Sequence, residues 1–374
     1  MASAPKAHFH LHNHPGNSHL RWSRSIPPVL TVPSGSEITL ELPDGGGNQI
    51  TRENAAAGTA IASFDVSRAD PGVGPIYVED AEPGDVLRVD FLAVEPVVDY
   101  GWTAIFPGFG LLSDDDDEFA DAAAAGHEHL KIFDLGRPGQ ADWVGERGYV
   151  VFRAGSTGEN SKEGGKGREE IRIPYAPFLG LVGLAPAHGE QHPMIPPLPR
   201  TGGNIDTRWL AVGAALYLPV EVPGALLSLG DGHVAQGDGE VCGTAIETRV
   251  RATVRVTVEK GGKAWVQSPW VLTAKRETAA AGAGSAGSAG GEGGGGGGEF
   301  MCLGVDSDLR EATRKAVRGV IAWLEAEKGL DRAEAYMLVS VAGHLRMCEV
   351  VDMPNYAIGC AIPLGIFVPL SAER

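Results

Sequence analysis

The chain has 374 residues, too many for one small core, so subdomains meeting at a shared interface are expected. Its 43% hydrophobic and 21% charged residues are the mix of a globular protein rather than a disordered or membrane chain. A formal net charge of -17 leaves no surplus of Lys and Arg for a phosphate backbone, so no nucleic-acid partner is expected.

The first residues, MASAPKAHFHLHNH, lack the apolar core of a signal peptide. His8, His10, His12 and His14 recur at period two, which on a strand puts all four on one face, either as a metal face or as a His-rich tail. Ile38, Leu40 and Leu42 then alternate with Glu37, Thr39 and Glu41, and Leu87, Val89 and Phe91 alternate with Arg88 and Asp90. The longest alternation sets Val250, Ala252, Val254, Val256 and Val258 against Arg249, Arg251, Thr253, Arg255 and Thr257, and closes at Lys260-Gly261-Gly262. Period-two patterns separated by Pro/Gly turns predict half-buried antiparallel strands, so the fold is expected to be mainly β, in sandwich or barrel subdomains. The apolar run from Trp209 to Val220 is too short to cross a bilayer and reads as a buried strand pair.

The predicted division is 1–185, an N-terminal β region; 186–275, a second β region; 276–300, a flexible insertion; and 301–374, a helix pair with strands that completes the molecule. The acidic insertion at 113–126, the Gly/Ala/Ser tract at 279–298 and the polar stretch at 155–170 have the composition of solvated loops. Serines in the GAGSAGSAGG run belong to that low complexity, not to a catalytic motif. Beyond it, Ser307 is the expected N-cap of a helix presenting Leu309, Ala316, Val320, Trp323 and Leu324, with Gly329 as its C-terminal stop. Asp331 and Glu334 form a capping box for a second helix through Val341, followed by a strand over 356–368.

Cys242, Cys302, Cys348 and Cys360 have neither zinc-site nor disulfide-framework spacing and fit reduced thiols in a cytoplasm. Cys242 and Cys348 read as small buried hydrophobes, since no activating base is evident beside either.

Chemistry concentrates between residues 199 and 247, where Asp206, Asp231, His233, Gln236, Asp238 and Glu240 stand among Gly and Pro turns. Asp206, Asp231 and His233 are the donor types of a hydrolytic metal site, and the spacing of the last two brings them to one face of a strand or together in a turn. The residues alone leave a second reading open, with Asp206 capping a turn and Asp231-Gly232 making a hairpin. Glu240 is the candidate general acid or base, Asp238 its orienting partner or a further ligand, and Gln236 a donor to a developing oxyanion. Glu79 follows a short apolar strand and is the candidate to face inward beside a substrate, whereas Glu82 sits at an exposed turn.

GGNIDT at 202–207 and GDGHVAQGDGE at 230–240, with GPIYVEDAEPGDVLRVDFL at 74–92, GWTAIFPGFGLL at 101–112 and HLRMCEVVDMPNYAIGCAIPLGIF at 344–367, resemble the acetamidase/formamidase family. The resemblance spans most of the chain. It implies hydrolysis of short linear amides such as formamide or acetamide, and it favours the metal reading of Asp206, Asp231 and His233. The cation is expected to be zinc, with calcium or manganese as alternatives, activating a water. By the same resemblance His14 and Trp22 are carried over as pocket-wall residues, and a homo-oligomer is expected. The rival reading is a non-catalytic β-sandwich that binds a metal or small ligand on the same scaffold.

Overall fold

The computed structural model describes residues 7–112, 129–153, 170–263, 265–275 and 297–368. The acidic insertion lies outside these residues, as do nearly all of the 155–170 stretch and of the Gly/Ala/Ser tract. The expectation of a mainly β molecule with a C-terminal α+β segment holds, as a sandwich and with no closed barrel among the described residues.

One sheet has nine strands in the order His8–Leu11, Glu37–Leu42, Val250–Glu259, Val86–Pro96, Ala215–Pro219, Trp270–Leu272, Glu299–Asp306, Tyr356–Pro363 and His344–Glu349. Every neighbouring pair is antiparallel except the first. These strands come from 1–185, 186–275 and 301–374 alike. The second sheet runs Gly202–Asn204, Phe178–Leu184, Leu227–His233, Gly72–Val78 and Ser18–His19, with Leu30–Val32 parallel to Gly72–Val78.

Alternation explains the packing. Val250, Ala252, Val254 and Val256 are buried, and they meet Ile38, Leu40 and Phe91 from their own sheet and Val73, Ile76, Leu179 and Leu229 from the facing one. Each such aliphatic side chain contributes about 1.5–3 kcal/mol on burial. A one-residue slip of Val250–Glu259 would turn its arginines into this core, so the register is fixed.

Three local expectations change. Residues 209–220 give one strand, Ala215–Pro219, because turns at Thr207–Leu210 and Ala211–Ala214 and the left-handed Gly213 use up the first half. The helix Leu309–Lys328 is capped by Asp308 rather than Ser307: the carboxylate is one residue closer and accepts the Glu311 N–H at 2.9 Å. The last strand stops at Pro363, and Leu364–Ile366 form a 3-10 turn. The second helix, Arg332–Ala342, has its capping box, and Gly329 ends the first at φ 70°. The first helix packs Ala316, Val320, Trp323 and Leu324 against Phe300 and Ile362.

Candidate active site

Three backbone devices bring acids to one place. Leu227–His233 pairs with Phe178–Leu184, and Asp231 sits where Gly180 is opposite it. A Cβ on Gly180 would overlap both Asp231 Oδ2 and Asp206 Oδ1, so glycine is what allows the two carboxylates to crowd that spot. The Gly180 carbonyl also accepts the N–H groups of Ile205 and Asp206, each at 3.2 Å, which docks the loop after Gly202–Asn204. The turn after Glu37–Leu42 supplies Gly45, whose N–H donates to Glu247 Oε2 at 3.2 Å and whose carbonyl accepts from Asp70 at 2.7 Å.

The result is a cavity of about 350 Å³ with an acidic floor. His233 Nε2 lies 2.9 Å from Asp231 Oδ1, 3.0 Å from Glu247 Oε1 and 3.9 Å from Glu240 Oε1, all four side chains being buried. Two of these contacts are close enough for hydrogen bonds, yet Nε2 has hydrogen-bond geometry with no partner. Asp206 Oδ1 and Oδ2, Asp231 Oδ1 and His233 Nδ1 are likewise buried without hydrogen bonds. Phe178 meets the imidazole edge-on at 4.9 Å between centroids and fixes its plane. Glu247 is the better anchored acid, since Oε1 also accepts from Ala245 N at 2.9 Å.

Backbone strain gathers here. Asp70, Asp206, Asp231 and Glu240 have φ of 49°, 37°, 53° and 48°, in the left-handed region that side-chain-bearing residues avoid at about 1–3 kcal/mol each. Such outliers persist where surrounding structure over-determines them, and they point to function.

The electrostatics follow from burial. Desolvation raises the Asp206 carboxyl to about 8, with Asp231 adding to the effect. Desolvation also raises Asp231, Asp70, Glu240 and Asp352, the last three well above the carboxylate range, with neighbouring acids reinforcing it in Asp70, Glu240 and Asp352. Burial pulls His233 down, but the Asp231 and Glu247 carboxylates outweigh it and raise it well above its ordinary value. So many acids around one imidazole constitute a demand for positive charge.

Asp206, His233 and Glu240 form one group whose donor atoms lie within 4.8 Å of each other; Asp231, His233 and Glu247 form another. Orphaned buried donors and a surplus of carboxylates are what a divalent cation requires, so the residues fit a metal.

The other expected site residues are placed differently. Asp238 lies at the surface in an ion pair with Arg208 at 2.7 Å. Gln236 donates through Nε2 to the carbonyls of Asp206 at 2.6 Å and Cys348 at 3.4 Å, so it holds the Asp206 loop instead of facing a substrate oxygen. Glu79 is exposed at the end of Gly72–Val78: the residue before it, Val78, takes the inward position. His14 is exposed and caps a 3-10 turn, its Nδ1 accepting from Gly16 N at 3.0 Å. Trp22 is buried against Leu181, Met194 and Leu198, away from the cavity. The strand of histidines ends at Leu11; His8 and His10 stack at 4.8 Å, and His14 does not join them.

Sequence reasoning missed Glu247, Asp70, Asp352 and Asn204, which line the cavity, and Asp44 and Glu349 behind it. Asn204 donates to Asp352 Oδ2 at 3.0 Å, and Glu349 Oε2 accepts the N–H groups of Val351 and Asp352. The C-terminal stretch therefore forms part of the site wall. A usable signal was present, for Glu247 ends the Gly-rich segment and Asp44 and Asp70 adjoin Gly or Pro.

The acetamidase/formamidase family model matches residues 6–192 and 189–368. A formamidase of Methylophilus methylotrophus is 28% identical over 94% of this chain and 90% of its own length. An acetamidase of Mycolicibacterium smegmatis is 31% identical over 65% of this chain and 66% of its own. The crystal structure of an acetamidase from Bacillus halodurans superposes with a TM-score of 0.73 at 28% identity, covering 95% of this chain and 97% of that one. With the match running through both sheets and through every strand that carries a cavity acid, the chain belongs to the acetamidase/formamidase family.

Proposed function

We propose that the chain hydrolyses the C–N bond of small carboxamides to a carboxylate and ammonia, with Asp231, His233 and Glu247 holding a divalent cation and Asp206 beside them. One observation carries the reading: buried, unpartnered atoms of Asp206, Asp231 and His233 converge on the floor of a cavity in a chain related to a formamidase and an acetamidase. When bound, such a cation supplies Lewis acidity that polarises a carbonyl and acidifies a coordinated water. A single imidazole among carboxylates suits zinc, with manganese and calcium as alternatives.

The remaining work falls to the chain's own groups. Glu240, kept protonated by burial and neighbouring acids, is placed to give its proton to the departing nitrogen. Asp70, Asp206 and Asp352 line the same cavity. The Gly45 and Gly180 backbones leave room for the acids to converge.

We infer a homo-oligomer as well. The edge strand His344–Glu349 exposes Leu345 and Met347, and the neighbouring helix exposes Tyr336, Met337 and Val341, an apolar margin that a second copy would cover. All four cysteines are free, in keeping with a reducing cytoplasm.

The test is ammonia release from formamide and acetamide before and after chelation, with zinc, manganese or calcium added back and metal measured by elemental analysis. Loss and recovery of turnover in step with stoichiometric metal is expected. Full turnover in metal-free protein would refute the metal assignment, and metal binding without any turnover would favour the binding-module reading.

A further inference from the structure

The cavity is not lined by acids alone: Ile61, Phe64, Val66, Phe106, Phe109 and Ile195 line it too, and where Gly45 faces Asp231 and Glu247, the next residue, Gly46, faces Trp102 and Phe64. Phe64 and Phe106 are half-buried, with centroids 4.5 Å apart, and Trp102 stands edge-on to Phe106 at 6.2 Å. This wall is built in place: a Cβ at Gly46 would come within 2.7 Å of Trp102 Cζ2 and 3.2 Å of Phe64 Cε2, so the bare glycine lets both rings stand where they do. Half-exposed aromatic side chains facing a cavity that ends in reactive groups are the makings of an apolar subsite.

Size makes the same point. At about 350 Å³ the cavity falls in the range of about 300–1,000 Å³ that accommodates ligands of many atoms. Acetamide needs the room of roughly three waters, about 90 Å³ at ~30 Å³ each. A methyl group on the acyl carbon would leave the aromatic wall against water, which those side chains gain nothing from. Charge sets a further limit, because a carboxylate on the acyl group would have to leave water to lie against this aromatic wall.

We propose that this site takes uncharged primary amides with an aromatic or similarly bulky apolar acyl group, the ring lying against Phe64 and Phe106 and the carboxamide at the acidic floor. The inference rests on the amide-hydrolysis reading and narrows its substrate class. The reaction is the same: water adds its oxygen to the acyl carbon, the C–N bond breaks, and the nitrogen leaves as ammonia with the proton.

Phenylacetamide and acetamide should be compared by kcat/KM from ammonia release, using wild type, Phe106→Ala and the milder Phe106→Leu, with circular dichroism on each. Wild type should favour phenylacetamide by about tenfold or more, since even one extra methylene in an apolar pocket is worth about that much. Phe106→Ala should lower the phenylacetamide-to-acetamide ratio by about tenfold, and Phe106→Leu, which keeps an apolar side chain, by less. A wild type that favours acetamide, or a ratio that neither folded variant moves, overturns the inference and leaves amide hydrolysis standing. If neither amide yields ammonia from metal-replete protein, the amide-hydrolysis reading fails and this inference fails with it.

Discussion

Gly180→Ala tests the site with the smallest possible perturbation. Gly180 has no left-handed φ, so alanine fits its backbone, and an alanine in a strand is favoured over glycine by about 0.5–1 kcal/mol. The new methyl group would overlap Asp231 Oδ2 and Asp206 Oδ1. Overpacking of this kind costs about 1–3 kcal/mol, so the net loss of stability should be about 1–2 kcal/mol, a shift of a few degrees in Tm. Function should suffer far more than stability, because the carboxylates must move by something like 1 Å, and displacement on that scale costs about a hundredfold in rate. Calorimetry, elemental analysis and ammonia release on the purified variant would be read together. Gly237→Ala is the control: it lies in the motif that carries Asp231, His233 and Glu240, yet its Cβ meets nothing within 4 Å. Should Gly180→Ala keep wild-type metal and turnover, Asp206 and Asp231 do not form the site.

His233→Ala and Asp231→Asn should each lose metal and turnover together, whereas Glu240→Gln should keep its metal while kcat falls by about 10²–10⁴; elemental analysis beside kinetics separates the two classes, and a Glu240→Gln variant with normal kcat would remove the proton-transfer role. In metal-free protein, Asp206 and Glu349 near 8 and Asp44 near 6 compare with ordinary carboxylates near 4, so the folded state holds more protons between about pH 4 and 8 and stability falls as pH rises through that window. His233, raised above its usual value, has the same sign, its contribution being complete at low pH and lost as pH rises through its folded pKa. A cation replaces those protons, so zinc should raise the Tm more at pH 8 than at pH 5; a chelated protein whose Tm is flat or rises from pH 5 to 8 contradicts this linkage. Leu345→Glu should shift light-scattering mass toward the monomer, with no shift expected if the His344–Glu349 edge is free in solution.

The sandwich was legible because its evidence is local. Alternation in Val250–Glu259 states which face is buried, and the capping box at Asp331 states where a helix begins. The site was legible only in part, for a different reason. Asp206, Asp231, His233 and Glu240 lie in motifs dense with glycine, where sequence signals a special backbone. Glu247, Asp70 and Asp352 come together only through pairing of distant segments: an isolated bridge joins Glu247 to His233 and another joins it to Trp102, and Asp352 arrives on the strand-to-strand return of the C-terminal region. The same limit misplaced Glu79, since a strand's last residue can face either way and Val78 had the inward position. It also misplaced Gln236, whose spacing from His233 says nothing of the carbonyls its amide would meet.

Left-handed backbone and buried acid are separate liabilities, and in this protein they coincide. Asp206, Asp231 and Glu240 each carry both. A fold selected for stability alone would relax one liability at each position, by glycine where φ is positive or by an amide where charge is buried. Retaining both at three positions requires a scaffold that resists relaxation, and the backbone supplies it: Gly180 holds the Asp206 loop through its carbonyl, and Gly45 holds Asp70 and Glu247 through its peptide groups. On the proposed metal reading, the free energy withheld in the cluster would be recovered when positive charge enters, and metal affinity and fold stability would be two readings of the same arrangement.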